Sequence, residues 1–280
     1  MGGFPRTTIE NVSVSRMLIG INWFLGFSHT SRAKDNQINE HMTSRRIADV
    51  LEAFMTAGVD TLYGHSPAPK MIDAIKDAED RTGRKCYKIA IPTLNIGPGP
   101  DARAETERIL DQYAALDLTI CMPHQATTDA LVDRRARCIR DGEMYMQMIR
   151  QRGMIPGLST HMPETPIYAD EGALDAATYV QIYNAAGFLM QIEVDWVHRM
   201  IWQRAKPVIT IKPLAAGRLH PLVGLAFSWA TLRDCDAIAV GTMTPDEARE
   251  LVDISLSILA RRGSDVELQR TRSKASIDGR

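Results

Sequence analysis

Short apolar or β-branched runs alternate along the chain with stretches whose apolar residues recur at helical spacing, and the alternation is repeated eight times. The runs fall at 17–24, 59–64, 87–94, 118–123, 155–160, 188–194, 208–213 and 237–242. Runs of this length, bounded by turn residues, read as buried parallel strands. The periodic stretches between them read as the crossover helices that parallel strands need. After the first run, Ile47, Val50, Leu51, Phe54 and Met55 share one face and Gly58 ends the pattern, as in a helix laid on a sheet. After the last, Thr244, Pro245, Asp246 and Glu247 form a capping box with proline at the first helical position, which predicts a sharp helix start. Eight such units predict an α/β fold, a single (β/α)8 TIM barrel over residues 1–263, followed by a polar tail at 264–280.

Two connections are longer than a barrel requires. Residues 25–42 are polar and lack a clear period, and residues 162–172 carry Pro163 and Pro166. They follow the first and fifth runs, on the face where long loops roof a site.

Composition narrows the partners. A chain of 280 residues, 45% hydrophobic and 24% charged, is long enough to bury one large core. Its 33 basic and 34 acidic residues create no overall field for nucleic acid or an anionic membrane, which leaves a small molecule as the expected partner. Cys86, Cys121, Cys138 and Cys235 form no CxxC pair and read as reduced thiols. With no leader-like segment and no run long enough to span a bilayer, the expected address is the cytoplasm.

In a barrel of this kind the interior is packed, so chemistry comes from the C-terminal ends of the strands. Those ends supply Asn22 and Trp23, then Asp60, Tyr63 and His65, then Pro92 and Thr93. His124 and Gln125 follow, with Ser159, Thr160 and His161, then Gln191 and Glu193, and finally Lys212 and Thr242. Each has a plain structural role open to it. Asp60 could brace a strand, Tyr63 could fill a gap, the histidines could bond a neighbouring carbonyl, and Glu193 could pair with Lys212.

Several of these segments resemble the aldo-keto reductases. GLSTH at 157–161 is similar to that family's Gly-x-Ser-Asn turn, and MQIEV at 190–194 to its Asn-Gln-Val-Glu-Tyr strand. KPLAAGRLHP at 212–221 is similar to Ser-Pro-Leu-Gly-x-Gly-x-Leu, AIAVGTMTPDEAREL to the last strand and helix, VDTLYG to Asp-Thr-Ala-x-x-Tyr-Gly with two residues missing, and LTICMPHQATTDAL to the strand ending in the active-site histidine. The resemblance implies a TIM barrel that uses NAD(P)H on a small carbonyl or polyol, carbohydrate-like substrate. Asp60, Tyr63 and His124 would be catalytic, with His161 beside them. Ser159, Thr160, Gln191, Lys212 and Thr242 would lie on the cofactor.

The departures from the family pattern are as specific as the matches. The lysine that would lower the tyrosine's pKa falls near Pro92 or Thr93, and Ile211 stands where an aromatic residue stacks on the nicotinamide. Thr160 replaces asparagine, and Asp246 and Glu247 lie where a base would hold a 2′-phosphate. Two other readings therefore remain open. In one, His124, His161 and Glu193 bind a divalent metal such as zinc or manganese, or act as acid and base in a hydrolase, lyase or isomerase. In the other the barrel binds a ligand without catalysis.

Overall fold

A computed structural model describes residues 3–262; the polar tail lies outside the described residues. The eight barrel strands are β1 (Met17–Gly20), β2 (Thr61–His65), β3 (Tyr87–Ala90), β4 (Ile120–Cys121), β5 in two halves (Ile155–Pro156 and Leu158–Ser159), β6 (Tyr179–Ile182), β7 (Val208–Ile211) and β8 (Ala237–Val240). All neighbours are parallel, and β8 pairs with β1. Closure occurs at β5, whose first half pairs with β4 and whose second half pairs with β6. Gly157 joins the halves because a Cβ there would meet the Thr178 carbonyl oxygen at 2.9 Å and Met122 at 2.7 Å.

Strand alternation then sorts the side chains into two layers. Leu18, Tyr63, Ile89, Ile120, Met122, Val180, Ile209 and Ala239 fill the barrel interior. Leu62, Ala90, Cys121 and Tyr179 face the helices, including Ser44–Thr56 with Ile47, Val50, Leu51, Phe54 and Met55 buried. The helix Pro245–Leu259 opens on the expected capping box of Thr244 and Glu247.

Three expectations are corrected. The sixth strand is Tyr179–Ile182, and 188–194 is a connection leading into the helix Val194–Trp202. The YVQI strand is buried at all four positions, so it shows no alternation, and Gln181 interrupts its apolar run. Residues 25–42 contain the helix Arg32–His41, capped by the Ser31 hydroxyl, and residues 162–172 contain the helix Thr165–Glu171.

The N-terminal residues form a hairpin, Arg6–Ile9 against Val12–Ser15, that closes the barrel end opposite the strand C-termini. Ile9 and Val14 are fully buried and join the interior cluster. Around them Ser15 N–H donates to Thr61 Oγ1, Thr7 Oγ1 to the Cys235 carbonyl, and Arg6 to Asp60. Each partner stands at or just before the N-terminal end of β2 or β8. Among the described residues no helix is long and apolar enough to cross a membrane.

Candidate functional site

Asp60 belongs to this closed end. Its carboxylate accepts from Arg6 Nη1 at 2.8 Å, which fastens the hairpin to the barrel and corrects the expectation that Asp60 shares the mouth with Tyr63. Asp60→Asn is therefore expected to lower unfolding stability by about 1–2 kcal/mol, the range of one part-exposed charged hydrogen bond. Chemical denaturation measures the loss.

His65 is also outside the mouth. A register shift at Gly64, which has φ +96°, aligns His65 with the outward-facing Ala90. The ring is 2% exposed and its Nδ1 has no partner. Burial, and after it Lys88, pushes the imidazole down from 6.5 to about 4. The unfolded chain takes up this proton near pH 6.5 and the folded chain only near 4. The neutral ring thus contributes stability that is complete above the upper value and is lost as pH falls toward the lower one, a change of about 3 kcal/mol. Unfolding midpoints measured across that interval should fall less steeply for His65→Phe than for the natural chain.

At the opposite end the strand termini surround a cavity of about 410 Å³. Tyr63 forms part of its floor and Ile211 part of its wall. Asn22, Trp23 and His29 come from the β1 connection, Lys212 from the end of β7, and Thr242, Glu247 and Glu250 from the end of β8 and the following helix. Gly241 is obligatory beside this wall, since a Cβ there would lie 2.7 Å from the Trp23 ring.

The Tyr63 side chain packs with the interior cluster, 8% exposed, with its hydroxyl 3.4 Å from Ser159 Oγ. Burial pushes the phenol up to about 12, so it is a neutral donor at any ordinary pH. Lys212 has a left-handed backbone, φ +61°, and its Nζ lies 3.2 Å from His29 Nε2. Asn22 Nδ2 approaches the same nitrogen at 3.3 Å, so His29 is held neutral with Nε2 accepting. Burial and then Lys212 lower its pKa.

His124 and His161 both stand at the mouth end, one after β4 and one after β5. His124 Nδ1 accepts the Ala126 N–H at 3.2 Å, capping the helix Gln125–Leu131. That bond leaves Nε2–H as its donor. Burial and Lys212 lower its pKa. His161 is pushed down to about 4 by burial, then by Lys212, His124 and His29.

Other expected residues are turned elsewhere. Thr160 Oγ1 bonds Asp129 and Thr165. Gln191 is exposed in the connection after β6, and Glu193 precedes the helix Val194–Trp202, so neither comes from a strand. Among the described residues no three His, Cys, Asp or Glu side chains are grouped to hold a metal ion. The metal-site expectation for His124, His161 and Glu193 therefore has no assembled ligand set. The sequence reading did not single out His29, because nothing in a polar connection signals contact with a lysine 183 positions away.

No known family's sequence model matches the chain, and no curated protein does. Solved structures do. A Pseudomonas aeruginosa protein, PA4992, provisionally assigned as an aldo-keto reductase, superposes with TM-score 0.64 at 14% identity over 91% of this chain and 95% of its own. A second Pseudomonas aeruginosa structure with that assignment gives 0.62 at 15%, over 91% and 94%. Aldose reductase from Giardia lamblia gives 0.53 at 10%, over 99% and 92%. The chain shares the TIM-barrel fold of these three structures.

Proposed function

We propose that this protein is a nicotinamide-dependent oxidoreductase acting on a small carbonyl at the mouth of the barrel. The observation that carries the reading is the Tyr63 phenol, held neutral on the floor of a cavity that Lys212 and Thr242 also line. A bound nicotinamide would supply the hydride. The chain's own part is to bind, orient and protonate: Tyr63 gives a proton to the carbonyl oxygen, and His124 Nε2–H is the second donor for that oxygen as charge develops on it. With no lysine acting on the phenol among the described residues, Tyr63 works as an acid and not as a stored phenolate. The direction favoured is carbonyl reduction.

The cavity suits part of a dinucleotide. Thr242 Oγ1 is buried with no partner, a polar atom that a ligand's hydrogen bond would satisfy. Glu250 also lines the cavity and would accept from ribose hydroxyls, as carboxylates do well. A 2′-phosphate fits poorly at the helix start, because the Glu247 carboxylate already accepts the N–H groups of Met243 at 2.8 Å and Thr244 at 3.2 Å. An internal anion occupies the donors a phosphate would need.

NADPH is therefore expected to bind no more tightly than NADH. Glu247→Gln keeps the capping geometry while removing the charge, and should improve NADPH affinity several-fold with little change for NADH; titration of both nucleotides measures this. The reading as a whole is tested by steady-state oxidation of NADH with a panel of small aldehydes, ketones and oxo acids. Turnover with at least one supports it, and tight ligand binding with no turnover would favour a non-catalytic barrel.

A further inference from the structure

Among the described residues, the cavity wall holds a cation with no anion paired to it. Lys212 is half-buried, and its ammonium meets a neutral group, His29 Nε2 at 3.2 Å. Shielding an ammonium from water is costly unless a counter-charge compensates it, yet the group it meets is the neutral His29 ring, and the His124 and His161 rings also feel its charge. Arg218 adds a further positive charge near His29. The carboxylates of the adjoining elements have other duties. Asp35 accepts from the Ser28 N–H at 2.8 Å and Ser28 hydroxyl at 2.6 Å. Asp129 accepts from Thr160 Oγ1 and the His161 N–H. Glu247 is bound to the helix start. The left-handed backbone of Lys212, unusual for a residue with a side chain, keeps its ammonium at this place.

We propose that Lys212, beside the His29 ring in the cavity wall, receives the carboxylate of a 2-oxo acid. The Lys212 ammonium, with Lys34 also lining the cavity and Arg218 near His29, gives this wall a positive charge that suits a carboxylate. Tyr63 lines the same cavity, and in this proposal the carbonyl adjoining that carboxylate is the one it protonates. The 2-oxo acid assignment rests on the redox reading above; the carboxylate receptor does not. A bound reduced nicotinamide would supply the hydride that forms the C–H bond at the oxo carbon, the carbonyl π pair would take the Tyr63 proton, and the phenolate would recover a proton from water. A 2-hydroxy acid and the oxidised nicotinamide result.

Binding without nicotinamide tests the receptor. Pyruvate, acetone and inorganic phosphate are titrated separately against the full chain, with the histidine ring resonances followed by NMR. Pyruvate should shift the His29 and His161 signals and raise the pH at which His161 titrates, whereas acetone at equal concentration should do neither. Lys212→Met should weaken pyruvate at least about tenfold, the loss of one charge-assisted contact, and Lys212→Arg should restore part of it. His29→Gln, with its amide spectrum compared with the natural chain, gives a second variant if Lys212→Met misfolds. Equal binding of acetone and pyruvate, phosphate binding with no pyruvate binding, or pyruvate binding untouched by both variants would overturn the proposal. Pyruvate binding without NADH turnover would overturn the redox reading alone, and turnover of neutral carbonyls without pyruvate binding would overturn the receptor alone.

Discussion

Tyr63→Phe is expected to lower NADH-dependent carbonyl turnover by about 10²–10⁴-fold, the range of a lost general acid, while NADH affinity changes less than about twofold. The change removes only the hydroxyl. The ring remains packed among Leu18, Ile89 and Ala239 in the barrel interior. The hydroxyl's hydrogen bond to Ser159 Oγ is a long one at 3.4 Å, so stability should scarcely move when it goes. Steady-state kinetics with a nicotinamide titration on the same preparation separates the two quantities. A variant that keeps more than half of natural turnover would show that the proton comes from elsewhere, and His124 would become the leading donor.

Asp236→Ala is expected to be the most damaging change to the fold, costing about 3–5 kcal/mol, as is usual when one partner of a buried ion pair is deleted. Asp236 is fully buried at the start of β8. Its carboxylate accepts from Arg233 Nε at 2.8 Å and Nη2 at 2.6 Å, from the Arg233 N–H at 3.0 Å and from the Val208 N–H at 2.9 Å. Its own carbonyl accepts from Arg16 Nε at 2.9 Å. One residue therefore joins β7, β8 and the strand entry after the hairpin. Deleting the carboxylate strands the Arg233 charge and the Val208 N–H. Urea unfolding measures the effect, and a loss below about 1 kcal/mol would mean that water replaces the carboxylate readily.

Most of the barrel was legible in the sequence because seven strands announce themselves as apolar runs with helical periodicity after them. The sixth did not. YVQI lies wholly inside the sheet and shows no alternation, and at four residues it is shorter than the competing run at 188–194, which carries a glutamine of its own. The misplaced strand carried Gln191 and Glu193 into the expected site, where neither belongs. The Asp60 assignment failed for a different reason, one that strand geometry could have exposed. Three residues along a strand span about 10 Å and end on opposite faces, so an aspartate three positions before Tyr63 cannot share its cavity when the tyrosine points inward. The two residues missing from VDTLYG relative to the reductase pattern mark this change. His124, His161 and Lys212 were legible because each directly follows a strand end. His29, which meets Lys212, was not, since its place depends on how the polar connection after β1 folds over the mouth.

The hairpin was equally hidden. Alternation in RTTI and VSVS is too short to distinguish from an irregular lead-in, and only the barrel's need to seal its N-terminal end gives Ile9 and Val14 a place to be buried. Its ion pair with Asp60 shows the same residue type serving stability where the reductase resemblance implied catalysis.

The central claim, that the mouth cavity receives a nicotinamide, is tested most directly by titrating NADH and following energy transfer from protein tryptophan to the reduced nicotinamide. Trp23 lines the cavity, whereas Trp196 and Trp202 lie exposed on the helix after β6 and Trp229 is buried in the helix Pro221–Thr231. Saturable transfer that largely disappears in Trp23→Phe, in a variant that still binds NADH by its own fluorescence change, is the expected result. No saturable binding of NADH or NADPH, or transfer unchanged in Trp23→Phe, would contradict the placement of the cofactor at the barrel mouth.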